Sequence, residues 1–211
     1  EDKQRDFSLI QKIMQTNPRI ELELFLNSNC LFNCAFRDYH RIITSHPRNS
    51  QPWLNKCKIK RLKDPVELLK ARGWIRPEDI KLYHEMGIKY YKIVGRENCR
   101  IDFEHTVFKT IKIYFKESFK GNFIDLITNF NKNSYLHKFC IENELLDDFL
   151  RYFYDNPNIS KRCDEGCLNC RYCYDVGKKV IKLNQETDGR DEDMFRKKVS
   201  DALKVDLTND S

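Results

Sequence analysis

Long hydrophobic runs are missing from this chain. No apolar stretch approaches the ~18 to 20 residues that a membrane-spanning helix requires, so a helical membrane protein is excluded and a soluble one is expected. The opening residues, EDKQRDF, lack the basic and then apolar order of a secretory signal peptide, which points to the cytoplasm. An initiator methionine is also missing, and the chain is read as the later part of a longer polypeptide. Glycine is scarce, 7 among 211 residues, and a chain of this length can build one medium-sized domain with a real core and a small appendage. No block of like charge stands out. The net charge of +6 comes from 38 basic and 32 acidic residues spread along the chain, which is weak ground for a nucleic-acid partner. There is no H-E-x-x-H zinc motif, and no nucleophile paired in sequence with a base.

Cysteine, by contrast, is abundant at 9 residues. Without a secretion signal, and with cysteines clustered at short intervals, metal ligation is favoured over a disulfide framework. The residues fall into a scattered set, Cys30, Cys34, Cys57 and Cys99, and a compact set, Cys163, Cys167, Cys170 and Cys173, with Cys140 left over.

Around these sets the pattern reads as mixed α/β. Residues 6 to 16 have helical spacing with Asp6 as N-cap, and Asn17-Pro18 ends the helix. The run Ile20 to Leu26 alternates apolar and acidic residues and reads as a half-buried strand, followed by Asn27, Ser28, Asn29, Cys30, Cys34, Arg37, His40 and His46. A helix is expected over 33 to 43, a loop carrying Cys57 over 47 to 61, and a short extended or helical piece over 65 to 71. Pro77 and the acidic residues beside it open a helix to about Met86, which Gly87 closes. A second strand, Ile88 to Val94, ends in Gly95, Arg96 and Cys99. Helices are then expected over 101 to 118, with Phe103, Val107, Phe108, Ile111, Tyr114 and Phe115 as a core stripe, and over 122 to 130, 137 to 154 and 192 to 204.

Two strands that each stop at cysteines, separated by a crossover containing helix, predict neighbouring parallel strands. Their C-terminal ends would gather Cys30, Cys34 and Cys99, with Cys57 as a fourth ligand; four ordinary buried cysteines are the alternative. The compact set is more specific. Four thiols within Cys-x3-Cys-x2-Cys-x2-Cys suit an iron-sulfur cluster or zinc, with the cluster favoured because structural zinc usually takes two cysteine pairs separated by a longer loop. The first three also have the spacing of radical enzymes that bind S-adenosylmethionine, but there the motif precedes its barrel. This set is expected to close a C-terminal subdomain, with Gly166 permitting the turn.

The segment NSNCLFNCAFRDYHRIITSH resembles the signature Asn-Glu-x-Cys-x-x-x-Cys-Pro-x-Arg-x-x-His of the collagenase-like peptidase family U32, and YYKIVGREN resembles that family's Phe-Lys-Ile-Glu-Gly-Arg segment. The likeness covers about residues 5 to 100. Ser28, Ala35 and Val94 depart from it, standing where Glu, Pro and an acidic residue are usual, and the cysteines do not. The resemblance implies a TIM-barrel-like domain of which this chain holds the later strands. It also implies a [4Fe-4S] cluster on Cys30, Cys34, Cys57 and Cys99, and either the family's annotated peptidase activity or oxygen-independent hydroxylation of ubiquinone precursors or RNA bases.

The expected fold class is therefore α/β, a partial TIM-barrel-like parallel sheet over residues 1 to 130 with a helical, cysteine-rich C-terminal extension over 131 to 211. Arg37, His40 and Arg96 are candidates for binding an anionic substrate, and the alternative is local salt bridging and surface placement. The substrate stays open between a small aromatic acid, a peptide and RNA, with a protein partner or heterodimer also open. An iron-sulfur enzyme or enzyme subunit is one reading. A non-catalytic module stabilised by zinc or a cluster, binding a protein or RNA partner, is the other.

Overall fold

In the computed structural model of the chain, residues 1–44, 56–95, 104–167 and 170–184 are described. Cys99, Arg96, His46, Phe103 and the helix expected over 192 to 204 lie outside them. The first helix, α1 (Phe7–Thr16), starts as its sequence dictates: the Asp6 carboxylate accepts from the Leu9 N–H at 3.1 Å, and Phe7 and Ile10 turn into the core.

The expected strands form and pair in parallel. β1 (Glu23–Phe25) lies beside β2 (Tyr90–Lys92) in the register Glu23 to Tyr90, Leu24 to Tyr91 and Phe25 to Lys92, so both chains leave the sheet at the same end. Each is shorter than its pattern suggested, because beyond Phe25 the neighbour changes. Ile75 N–H donates to Leu26 O at 3.0 Å and Ser28 N–H to Gly73 O at 2.8 Å, so Asn27 bridges Trp74 in the antiparallel sense on the other edge. Among the described residues the sheet does not close into a barrel.

Helices follow each strand end: α2 (Arg37–Thr44), α3 (Lys56–Lys63), α4 (Glu67–Lys70) and α5 (Ile80–His84) between β1 and β2, then α6 (Lys109–Phe115) and α7 (Phe123–Ile127). Cys57 is on α3, not in a loop. The expected core stripe of α6 is partly wrong. Val107, Thr110 and Tyr114 face inward, while Phe108 is 45% and Phe115 85% exposed. The Tyr114 hydroxyl reaches Leu26 O at 2.9 Å and Ile75 O at 2.7 Å, and this polar anchor fixes which face of the helix is buried.

The region 137 to 154, expected as helix, contains β3 (Phe139–Ile141), whose side chains alternate between buried and half-buried. It pairs antiparallel with β4 (Ile181–Leu183). Between them lie α8 (Phe149–Asp155), α9 (Ile159–Asp164) and α10 (Tyr172–Val180). The core is continuous across residue 130: one cluster of buried side chains runs from Phe7 through Leu69 and Trp74 to Phe149, Cys163 and Val180. Trp74 is at its centre, with its ring 4.7 Å from Phe123 and 5.6 Å from Phe149.

Candidate functional site

The joint C-terminal end of β1 and β2 is closed by side-chain amides. Asn27 accepts from Val94 N–H at 2.8 Å and donates to Val94 O at 3.1 Å, continuing the ladder after the backbone has stopped. Its Nδ2 also meets Asn129 Oδ1 at 2.9 Å, and Asn129 donates to Val94 O at 2.6 Å. Beyond this clamp opens a cavity of about 660 Å³, lined by Asn27, Cys30, Arg37, His40, Asn129 and Ser134 among others.

The structure brings some of the expected residues together there. Cys30 and Cys57 are both electrostatic neighbours of Arg61 and Tyr135. Cys34 and Cys57, with His40 and Lys60, line an adjoining cavity of about 740 Å³. Burial pushes the Cys30 thiol up, and so does Glu1, while Ser28, Arg37 and Arg61 pull the other way. His40 is held below its usual range by burial and by the cations Lys58 and Arg61. Arg37 is committed elsewhere. Its Nη1 is bonded to Asp2 Oδ2, and its Nη2 donates to Asp2 Oδ1 and to Leu31 O, each at 2.6 Å, so the fork expected for a substrate anion holds a carboxylate of the chain itself.

Arg61 carried no signal in the sequence. It is buried on α3, donates to Tyr135 Oη at 2.8 Å and to Asn29 O, and leaves its buried Nε unpartnered. No carboxylate among the described residues pairs with it.

The compact cysteines lie at a helix-turn-helix joint. Cys163 lies in the last turn of α9, Gly166 and Cys167 make the turn with φ of 80° and 63°, and Cys173 is in the first turn of α10. Cys167 N–H donates to Arg162 O, Gly166 N–H to Cys163 O and Cys170 N–H to Cys167 O, so the backbone wraps back on itself. Cys167 feels the other three thiols, and Cys163 and Cys170 both bear on Cys173. The Cys167 thiol, with Arg72 and Arg5, holds Cys163 well below the usual thiol range against its burial, and Cys167 is raised by the same pairing. Burial pushes Cys173 up to about 11 despite Arg5.

Facing these thiols are two more arginines that the sequence did not single out. Arg5 donates to Leu69 O at 2.7 Å and Ala71 O at 2.6 Å, lies 4.2 Å over Trp74 and leaves Nε unpartnered. Arg72 donates to Asp2 O at 2.9 Å and lies 4.0 Å over Phe32. Both are buried.

Among the described residues the cysteines are all free thiols, and no three His, Cys, Asp or Glu side chains are arranged as they stand to hold a metal ion. What fits a thiolate-bound metal is the chemistry of the set: four thiols on one tight wrap, with buried guanidinium groups beside them, of which Arg5 keeps its Nε unpartnered. At the strand ends Cys30, Cys34 and Cys57 share a neighbourhood, and the position expected for a fourth ligand, Cys99, is outside the described residues. No protein-family model matches the chain, and no curated protein or solved structure is significantly similar to it.

Proposed function

We propose that the chain is an iron-sulfur protein of the kind its resemblance to the collagenase-like peptidase family U32 implies, an enzyme or enzyme subunit working at the joint C-terminal ends of β1 and β2. The observation that carries this reading is the parallel pairing of two strands that both end at one cavity, with Cys30, Arg37 and His40 on its wall. In parallel α/β folds, sites are built at that end. Here β1 and β2 would be later strands of a partial barrel.

Cys30, Cys34, Cys57 and Cys99 would hold the cluster, and when bound it supplies one-electron chemistry that the side chains lack. Arg61 sets the local charge beside Cys30 and Cys57, and Asn27 and Asn129 keep the strand ends together while a substrate occupies the cavity. His40, whose charged form is disfavoured by burial and by Lys58 and Arg61, is the candidate for moving a proton in the cavity. The cavity's size suits a small aromatic acid or one residue of a peptide or RNA.

The packing of the compact cysteines against the core supports a second reading, a module that metal stabilises without catalysis. Anaerobic purification with iron, sulfide and zinc analysis separates the two. Brown protein with about four or about eight irons per chain, losing about four in Cys30→Ser, supports the enzyme reading. Colourless protein with stoichiometric zinc and no iron supports the module.

A further inference from the structure

The buried arginines of this protein sort into two kinds. Arg76 is neutralised conventionally: its Nε and Nη2 meet Asp79, at 2.8 and 3.1 Å, and its Nη1 meets Asp147 at 2.8 Å. Arg5 and Arg72 have no such partner. Among the described residues no carboxylate pairs with either, and backbone carbonyls and aromatic faces solvate their charges without cancelling them. They are also electrostatic neighbours of each other, so each makes the other's burial worse. The groups of opposite potential charge that they face are Cys173, Tyr83 and Cys163 from Arg5, and Cys163 and Cys173 from Arg72; burial holds the Tyr83 hydroxyl well above its usual range and so neutral, which leaves the cysteines as the groups able to carry the charge.

Two like charges taken out of water next to each other require an anion. We infer that Arg5 and Arg72 are the built-in counter-ions of a dianionic metal-tetrathiolate centre on Cys163, Cys167, Cys170 and Cys173. This rests on the reading of the chain as a metal-thiolate protein and adds how that site is charged and held. The balance is direct. A divalent ion held by four thiolates, whatever protons they still carried having passed to solvent, makes a complex of charge minus two, which two guanidinium groups neutralise. A [4Fe-4S] core in its ordinary plus-two state on four thiolates carries the same charge. Zinc and cluster therefore share this chemistry, and the experiment distinguishes them.

Neither arginine would be a ligand. Each acts through the thiolates, as outer contacts around metal sites do, where their loss typically costs about 10- to 100-fold in affinity. Arg5 also stacks on Trp74, so its removal threatens the fold. Arg72 is the cleaner probe.

The test is titration of the full, metal-free chain with Co²⁺ under reducing, anaerobic conditions, reading the sulfur-to-cobalt charge-transfer bands, followed by Zn²⁺ competition. Arg72→Gln should weaken binding about 10- to 100-fold with the four-thiolate spectrum retained, and Arg72→Lys should restore most of it. If iron reconstitution yields a cluster there instead, Arg72→Gln should shift its reduction potential to more negative values. Circular dichroism of each variant establishes that it is folded. Equal affinity and potential in wild type and a folded Arg72→Gln overturn the counter-ion assignment and leave the metal reading standing. Failure of the wild-type chain to bind Co²⁺, Zn²⁺ or a cluster through Cys167, with a Cys163 to Cys167 disulfide forming on mild oxidation, overturns both.

Discussion

Asn27 does with one amide what a strand does with two backbone groups. It takes both the N–H and the C=O of half-buried Val94 and is held in turn by Asn129, the two amides themselves being buried. Asn27→Ala therefore removes more than one bond: Val94 O keeps its bond from Asn129, but the Val94 N–H and the Asn129 Oδ1 both lose their partner. A buried polar group left unpaired costs about 1 to 3 kcal/mol. The expected outcome is a loss of about 2 to 4 kcal/mol in chemical denaturation, about one to two such groups. A loss below half a kilocalorie would show that water reaches the clamp. The Asp2 to Arg37 fork makes a pH prediction. Burial raises the Asp2 carboxyl and the Arg37 fork lowers it further, so the group ends below its ordinary 3.8. A depressed folded-state value gives stability that is present above about pH 3.8 and lost as pH falls through the folded value. Asp2→Asn should thus melt below wild type at pH 7, with the gap closing as the pH falls below the ordinary carboxyl value, and the gap should shrink in high salt because the pair is partly exposed.

At the scale of elements, the contact that sets the position of α10 is a glycine. A Cβ on Gly177 would come within 2.9 Å of Val66 Cγ2 and 3.5 Å of Leu69 Cδ1, so α10 lies against α4 only because no side chain is there. One turn earlier on the same helix is Cys173. Gly177→Val should wedge the helices apart at a cost of about 1 to 3 kcal/mol and also weaken Co²⁺ binding by displacing that thiol. Gly177→Ala should do less of both, and unchanged melting in Gly177→Val would mean that α4 and α10 slide freely. These elements also show what was legible in the sequence. β1 and β2 were readable because their apolar alternation or β-branched run stops abruptly at polar residues and cysteines, a local signal. β3 was not. Three residues, Phe-Cys-Ile, fit a helical stripe as well as a strand, and the choice was made by β4, some forty residues later. The face of α6 was missed for a related reason: period alone favoured Phe108 and Phe115, but the Tyr114 hydroxyl had carbonyls to reach at Leu26, just past β1, and at Ile75 beside it.

At the scale of the whole molecule, the sequence marked the cysteines but not their electrostatic frame. Nothing near Arg5, Arg61 or Arg72 distinguishes them from the other basic residues of a chain with 38, because burial without an acidic partner is a property of the assembled core. That core also alters what metal loss should do. From the sequence, the compact cysteines were expected to close a subdomain of their own, which would loosen by itself over residues 160 to 180. In the fold, Tyr172 stacks on Tyr152 with ring centres 3.7 Å apart and on Phe149 at 5.4 Å, Phe149 lies against Trp74, and Arg5 covers the Trp74 ring. A chain of aromatic contacts thus ties the cysteine wrap to the centre of the molecule. Small continuous cores unfold all-or-none. Removal of metal by a chelator is accordingly expected to lower a single melting transition, with near-ultraviolet signals from Trp74 and far-ultraviolet helix signals moving together. The shift should grow with free metal concentration as mass action requires, about 1.4 kcal/mol for each tenfold excess over the dissociation constant. Two separated transitions, or protease cutting confined to residues 160 to 180 while Trp74 keeps its native signal, would mean that the wrap folds as its own unit.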